Sequence, residues 1–542
     1  MEKALEMGKT SATGSFQLLI GVAVSTVIMA VGTIILGRLL TPDAFGLYGI
    51  VQIPIVTINL FRDWGINSAM TKYIATLRAS HKEEEIPNFI ATGLLFEAVS
   101  GIVLTFLSFA LATFIATTIF HRPESVLLIE VISVSIVAGS LLTASQAVFV
   151  GFERMELNSF TLICQAIVKT VIGPTLVFLG YSVLGAVIGY ALGFVAAGII
   201  GVATFYLALY RPLRKKGTHN TTRTLKTMLN YGVPLFISTI LSGILGQIYL
   251  FIVPSFVSNT LYGNYLTAFN FTVLLTFIST PIATVLFPAF AKLDSQNDHE
   301  LVKTVFKSSI KYTSILLIPS TMIMMALSSP IIGALYGTKY VYGPFFLTIA
   351  VISNLFALFG NLSLSSFLSG LGQTRILMIQ SVITITIGLP LGFLLIPALG
   401  ITGLIIANIT AGVPSMIWAL NWIWKHYKTR ADFHSSAKIF AASTLAAIPA
   451  YLTTVFLQKT FEHPTVHAYV PWIELAVGLA VFLVIYVLGA PIIGAVSQSD
   501  INALRHMFSN LGIVTKIINI PLKAAEKAAK TKSAKKEASE KP

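Results

Sequence analysis

Four ionisable residues interrupt the apolar stretches of this sequence: Arg62, Asp63, Glu97 and Lys169. A charge at the centre of an isolated transmembrane helix costs about 2.5 kcal/mol or more, so each must pair or face water. Counted from the ends of their stretches, all four lie roughly 14–16 Å from the same membrane boundary at about 1.5 Å per residue, and read as one layer. Two chemistries fit them: Arg62 and Lys169 as cations holding an anionic substrate group, Asp63 and Glu97 as acids carrying a coupling ion in a hydrated cavity. The structural alternative is two ion pairs, Arg62–Asp63 and Glu97–Lys169, that lock helices together. Neighbours along a helix point about 100° apart, however, so Arg62 and Asp63 are expected to find partners elsewhere. Gln165, four residues before Lys169 on the same helix face, and Asn67 join them as substrate-contact candidates. Gln146, Gln247, Asn270 and Asn361 read as ordinary interhelical hydrogen-bonding residues.

The elements that carry these residues are membrane spans. Of 542 residues, 55% are hydrophobic and only 11% charged, against roughly 25% charged in a soluble domain. Stretches such as Gly21–Leu39, Phe96–Ile119 and Trp472–Ile493 reach the length of about 20 residues that crosses a bilayer, without the alternation of barrel strands. We read an all-α polytopic membrane protein of about fourteen helices, the second running over 46–72. The short polar start lacks a small-residue cleavage site, so the first span is expected to stay.

Charge orients the chain. Of 36 Lys and Arg, only Arg38, Arg122, Lys339 and Lys459 fall in odd-to-even connections, and Arg62 and Lys169 lie within spans. The others fall in even-to-odd connections and at the termini, which places both ends in the cytoplasm of a cell-membrane protein. Topology therefore accounts for the net charge of +14 without nucleic acid, and basic loops are free to touch anionic lipids. Glu130 and Glu474 lie near outer span ends, where they are expected to reach the interface without cost.

An internal repeat recurs at an offset of about 214 to 221 residues. Leu47-Tyr48-Gly49 matches Leu261-Tyr262-Gly263, Gly151-Phe152-Glu153-Arg154 matches Gly372-Gln373-Thr374-Arg375, and Gly185-Ala186-Val187-Ile188 matches Gly403-Leu404-Ile405-Ile406. The order implies a six-helix lobe over 1–210, a basic linker over 211–226, a second six-helix lobe over 227–425, and two further helices within 426–497. Residues 498–542 read as an amphipathic segment, with Leu504, Met507, Phe508 and Leu511 on one face, and a Lys-rich tail. Deep charges occur only in the first lobe. No catalytic or metal-ligand pattern appears among the nine histidines, and the lone Cys164 excludes an intramolecular disulfide or a cysteine-built metal site. No cofactor is expected.

The segment from Gly37 through Leu39-Leu40-Thr41-Pro42-Asp43-Ala44-Phe45-Gly46 to Tyr48 resembles polysaccharide transporters of the MOP flippase superfamily, including Wzx-type flippases. Asp63-Trp64-Gly65-Ile66-Asn67, the Gly151–Arg154 turn, Tyr231-Gly232-Val233-Pro234-Leu235 and Leu335-Tyr336-Gly337 with Tyr340 extend the likeness over about residues 14 to 495. The resemblance implies a MATE-like, V-shaped cavity between two lobes and transfer of a polyprenyl-(pyro)phosphate-linked oligosaccharide by alternating access. It implies cavity cations, for which Arg62 and Lys169 are the candidates, and a coupling proton or sodium at Asp63 and Glu97 by analogy with related drug exporters. The empty second lobe departs from members charged in both. Partners expected are the lipid-linked glycan, membrane lipids and glycosyltransferases, with the chain a monomer and not an enzyme. The competing readings are a cation-coupled multidrug exporter and, discounted for want of a sizeable polar outer loop, a membrane glycan polymerase or glycosyltransferase.

Overall fold

A computed structural model of the chain describes residues 2–211, 220–295, 299–429, 432–461, 469–507 and 519–527. Among these residues the regular structure is helical throughout, as lipid demands of a backbone that must satisfy its own polar groups. Ten helical segments are long and apolar enough to cross a membrane, or eleven if one bent pair counts as a single span. The chain is a multi-pass membrane protein. Much of the basic linker, Phe508, Leu511 and most of the Lys-rich tail lie outside the described residues.

The helices gather into two compact units, residues 1–263 and 264–542. The first holds α1 (Glu2–Leu39), α2 (Pro42–Asn59), α3 (Ile66–Ala79), α4 (Ile86–Phe114), α5 (Val126–Gly151), α6 (Met155–Leu176), α7 (Ser182–Phe205), α8 (Thr221–Ile252) and the start of α9 (Asn259–Ser295). The second holds the rest of α9, then α10 (His299–Ala326), α11 (Ser328–Tyr336), α12 (Gly343–Ala350), a 3-10 stretch (Val351–Phe359) and α13 (Asn361–Gly370). It continues through α14 (Thr374–Leu399), α15 (Ile401–Tyr427), α16 (Phe433–Thr460), α17 (Val470–Ile493) and α18 (Gln498–Met507).

The continuous second span expected over 46–72 is two helices. α2 stops at Asn59 and α3 begins at Ile66, with Trp64 at φ 49° and Gly65 at φ 76° between them. Hydropathy cannot register this break, because Leu60, Phe61, Trp64 and Ile66 keep the stretch apolar. The second unit breaks a different helix: Gly360, at φ 92°, bends Gly343–Phe359 by 53° against α13. A nine-residue 3-10 stretch precedes the bend, longer than the three or four residues usual for that geometry.

Matching segments of the repeat share their local geometry. Between α6 and α7 the chain reverses at Ser182 (φ 47°, ψ −132°), and between α14 and α15 at Gly400 (φ 58°, ψ −128°). Three residues on, Gly185 presses against Leu176 and Gly403 against Leu395. After α5 the amide of Arg154 donates to Phe149 O at 2.8 Å, and after α13 that of Gln373 donates to Leu368 O at 2.8 Å. This register pairs Glu153 (φ 60°) with Gly372 (φ 67°), two residues away from the sequence match of Gly151 with Gly372. The conserved quantity is the left-handed turn, which glycine takes freely and glutamate takes at a cost.

Arg122, in the loop between α4 and α5, is buried and ties that loop to the one between α8 and α9. Its guanidinium donates to Asn259 Oδ1 and to the carbonyls of Pro254 and Val257 at 2.5 Å each, and to Phe120 O at 2.7 Å. At the far end of the second unit, Ser497 and Asp500 form a reciprocal capping box: Ser497 N donates to Asp500 Oδ2 at 2.8 Å and Asp500 N to Ser497 Oγ at 3.3 Å. Lys311 of α10 pairs with the same Asp500 oxygen at 2.6 Å, so α18 is held at its start. Leu504 and Met507 fall within this helix.

Glu474 corrects an expectation. It does not reach the interface freely; it is 5% exposed, and among the described residues its Oε1 has no hydrogen-bond partner. The cause is close packing of the first turns of α17, where Pro471 lies against Gly333 of α11 and Gly478 against Leu327.

Arg122→Ala strands the carbonyls of Pro254 and Val257, at a cost of about 1–3 kcal/mol for each buried group left unpaired. It is therefore expected to lower the unfolding temperature of the purified protein by several degrees. Ser182→Gly removes side-chain strain of about 1–3 kcal/mol at a backbone position suited to glycine, and is expected to raise that temperature.

Candidate substrate-binding site

The break between α2 and α3 builds the site. As α2 ends, the amides of Leu60, Phe61 and Arg62 turn back to Thr57, Ile58 and Asn59 O at 3.2, 3.0 and 3.3 Å, tightening the chain to three-residue turns. Asp63 then serves the next helix, its Oδ1 accepting from Asn67 N at 2.8 Å and its carbonyl from Ile66 N at 2.9 Å. A carboxylate at a helix start complements the exposed N–H groups and the positive end of the dipole. Asp63 is thus a cap for α3.

Two contacts hold the break closed. Gly65 lies so near Gly232 of α8 that a Cβ there would sit 2.2 Å from the Gly232 carbonyl oxygen. Trp64 donates Nε1–H to Phe61 O at 2.9 Å, stacks on Phe236 at 6.1 Å and meets Phe96 edge-on at 6.3 Å. Two short sequence motifs, Asp63–Asn67 and Tyr231–Leu235, therefore meet in space.

The break turns Arg62 inward among four helices. Its Nη1 donates to Asn59 Oδ1 at 3.1 Å and its Nη2 to Thr143 Oγ1 of α5 at 2.8 Å. Its Nε lies 3.3 Å from Glu97 Oε2 of α4, and Glu97 Oε1 accepts from Asn67 Nδ2 at 3.0 Å. Glu97 is fully buried. The ion pair is close yet misaligned: Arg62 Nε and Glu97 Oε2 each lack a geometrically satisfied hydrogen bond. The pairing is Arg62 with Glu97, in place of either Arg62–Asp63 or Glu97–Lys169.

Lys169 stands apart from this group, on α6. Its Nζ lies 4.4 Å from the ring centroid of Tyr190 on α7, a cation–π contact. Gly193, one turn from Tyr190, makes room for the lysine stem: a Cβ there would come 3.0 Å from Lys169 Cβ. Among the described residues no carboxylate forms an ion pair with Lys169. Gln165 is buried one turn earlier on α6. The two groups connect through aromatic rings, since Tyr190 packs on Phe194 at 5.1 Å. Phe194 and Arg62 Nη1 both lie 3.3 Å from where a Gly139 Cβ would stand.

The sequence reading found Arg62, Asp63, Asn67 and Glu97, which come together, and Lys169 with Gln165, which stand on α6. It missed Asn59, Thr143, Tyr190 and Phe194. Asn59 carried a usable signal, being three residues before Arg62, and Tyr190 is a phenol set between Gly189 and Gly193 in an otherwise apolar run. Thr143 carried none.

Known proteins resemble this chain in sequence and in fold. A family model described as "Polysaccharide biosynthesis protein" matches residues 35–342. A probable low-salt glycan biosynthesis flippase of Haloferax volcanii is 24% identical over 220 residues, 39% of this chain and 44% of that protein's length. An uncharacterized membrane protein of Methanocaldococcus jannaschii is 24% identical over 405 residues, 72% of this chain and 92% of that one. The fold resembles that of the lipid II flippase MurJ in an inward closed conformation, with a TM-score of 0.67 and 16% identity over 86% of this chain and 97% of that one. It also resembles an inward-facing multidrug resistance MATE transporter of the MOP superfamily, with a TM-score of 0.61 and 15% identity over 76% of this chain and 100% of that one.

Removing one partner of a buried ion pair leaves an uncompensated charge and costs about 3–5 kcal/mol. Arg62→Ala alone is therefore expected to destabilise the purified protein strongly, and the double replacement Arg62→Met with Glu97→Leu to recover most of that loss. A double variant as unstable as the two single variants added together would show that the pair is not coupled.

Proposed function

This chain belongs to the polysaccharide biosynthesis protein family, and from that membership we propose that it is a flippase for a polyprenyl-(pyro)phosphate-linked oligosaccharide, working by alternating access in the cytoplasmic membrane. In this reading the chain crosses fourteen times, as two six-helix lobes and two further helices, with both termini in the cytoplasm. The broken α2–α3 segment supports it, because discontinuous membrane helices commonly form substrate sites in transporters.

The observation that carries the reading is Lys169. The four intramembrane charges sum to zero, but they are not equally committed. Asp63 caps α3 and its carboxyl also meets that of Glu97, which faces Arg62 and Asn67 as well. Among the described residues, Lys169 differs from the other three in forming no ion pair or hydrogen bond and lying against an aromatic ring. That leaves a cation to meet a lipid phosphate, with Gln165 one turn away and Arg62 as a second contact once Glu97 releases it. Glu97 is the better carrier of a coupling proton or sodium, because its binding or release would change the partner of Arg62, whereas Asp63 is occupied by Asn67 N. Asn67 then orients Glu97 and reaches substrate only through it. A multidrug exporter for cationic compounds would call for an uncommitted acid in place of an uncommitted lysine.

A hydrogen bond to a charged group contributes about 1.5–3 kcal/mol, so losing one at a phosphate costs about tenfold or more in binding. Lys169→Ala is expected to reduce surface glycan export by at least that factor while membrane abundance and unfolding temperature stay normal, and Lys169→Arg to retain part of it. Undiminished export in Lys169→Ala would remove the phosphate-binding role.

A further inference from the structure

The side that α3 leaves open is polar. Ile66, Ala69, Met70, Ile74 and Leu77 are buried, while Ser68, Lys72 and Thr76 follow one another at intervals of four residues on the exposed face. On α4 the exposed face carries Leu95, Val99, Ile102 and Phe106. Lipid selects the second pattern, whereas a lysine between two hydroxyls belongs against water. Trp64, also exposed, stands four residues before Ser68, so the polar stripe runs from the helix break to the end of α3.

Lys72 lies on this stripe about 10 Å along α3 from Gly65, at about 1.5 Å per residue. A lysine near a helix end commonly snorkels outward along the helix. The ammonium of Lys72 is held elsewhere, 3.7 Å from the ring centroid of Tyr231 on α8 and 5.4 Å from that of Tyr73. Tyr231 is the neighbour of Gly232, which seats on Gly65 at the break. The contact therefore draws the charge toward the break, the direction in which side chains of α3 lean in any case, toward their own N-terminus.

A ring face fixes the position of an ammonium without neutralising it. Lysine has three N–H donors, and among the described residues Lys72 forms no ion pair and donates no hydrogen bond. Tyr231 is itself positioned, meeting Tyr73 edge-on at 6.1 Å, and Tyr73 stacks on Phe89 at 5.0 Å. The result is a charge with a set position, open donors and a wetted face leading to Arg62.

We infer that Lys72, held by Tyr231, is an anion-binding residue that receives the phosphate or diphosphate of a prenyl-linked substrate before that group reaches Arg62 and Lys169. The order of events rests on the flippase reading; the choice of residue rests on the stripe and the ring contact.

The test uses the purified full-length protein in detergent, with farnesyl diphosphate and farnesol as probes. Acylation of Lys72 by a succinimidyl ester is followed by mass spectrometry, with the exposed Lys82 as reference. Farnesyl diphosphate is expected to slow acylation of Lys72 about tenfold in a saturable way, with Lys82 and the farnesol samples unchanged. Lys72→Gln is expected to weaken the shift of unfolding temperature by farnesyl diphosphate about tenfold, as loss of a hydrogen bond between charged groups does. Lys72→Arg is expected to retain most of that shift, and Tyr231→Leu, which frees the ammonium, to lose part of it. Equal acylation of Lys72 with and without the diphosphate would overturn the inference, as would a Lys72→Gln response equal to that of the wild type. Glycan export separates the two readings. Protection of Lys72 with normal export in both Lys72→Gln and Lys169→Ala would keep the anion site and remove the flippase reading. Lost export in Lys169→Ala without protection of Lys72 would do the reverse.

Discussion

Within a bilayer a helix can be interrupted only where neighbouring protein groups or the water of a cavity take over its unpaired backbone groups. The interruption at Leu60–Gly65 meets that constraint locally. Three tightened turns close the end of α2, a carboxylate caps α3, and an indole donates to the chain at Phe61. The backbone of α8 lies against the gap at Gly232. Only with those substitutes in place does the chain bend enough to send Arg62 toward Glu97 and Thr143. The site follows from the break, and the break follows from a small set of side chains within the sequence Arg62–Asn67.

The two units treat a shared plan differently. Their hairpins reverse through nearly the same dihedral angles at Ser182 and Gly400, and their post-helical turns share one hydrogen-bond pattern. Yet the first unit interrupts its second span and gathers charge there, while α9 runs on to Ser295 unbroken. The second unit instead bends at Gly360 after a long 3-10 stretch. The first unit carries the polar chemistry and the second the change of helical pitch.

Much of this was legible in the residues. Hydropathy marked the chain as a multi-pass helical membrane protein, because lipid imposes a coarse and continuous requirement on composition. The rarity of ionisable residues in such spans picked out Arg62, Asp63, Glu97 and Lys169. The failures share a cause, which is that sequence spacing assumes regular backbone. A continuous helix over 46–72 would have pointed Arg62 and Asp63 by the 100° rule, and the real turn at Trp64 and Gly65 follows no such rule. Glu474 was misjudged for a related reason: position along a span gives depth, whereas its burial is decided by sideways packing on Gly333 and Leu327. The sequence match of Gly151 with Gly372 followed glycine identity, whereas the left-handed turn made by Gly372 has its like at Glu153.

The embrace of α8 by the first unit has a temporal side. Arg122 binds Pro254, Val257 and Asn259, and Gly65 seats on Gly232, yet all these partners are synthesised after α7 is complete. Gly263 follows Phe205 by about 60 residues, which at about 5–20 residues per second is a delay of roughly 3–12 s. During that interval the first seven helices would sit in the membrane with the Arg122 guanidinium holding Phe120 O but not its later acceptors, and with a helix break lacking its backing. Biogenesis would then pass through a half-assembled bundle, completed by α8 together with the turn that follows it.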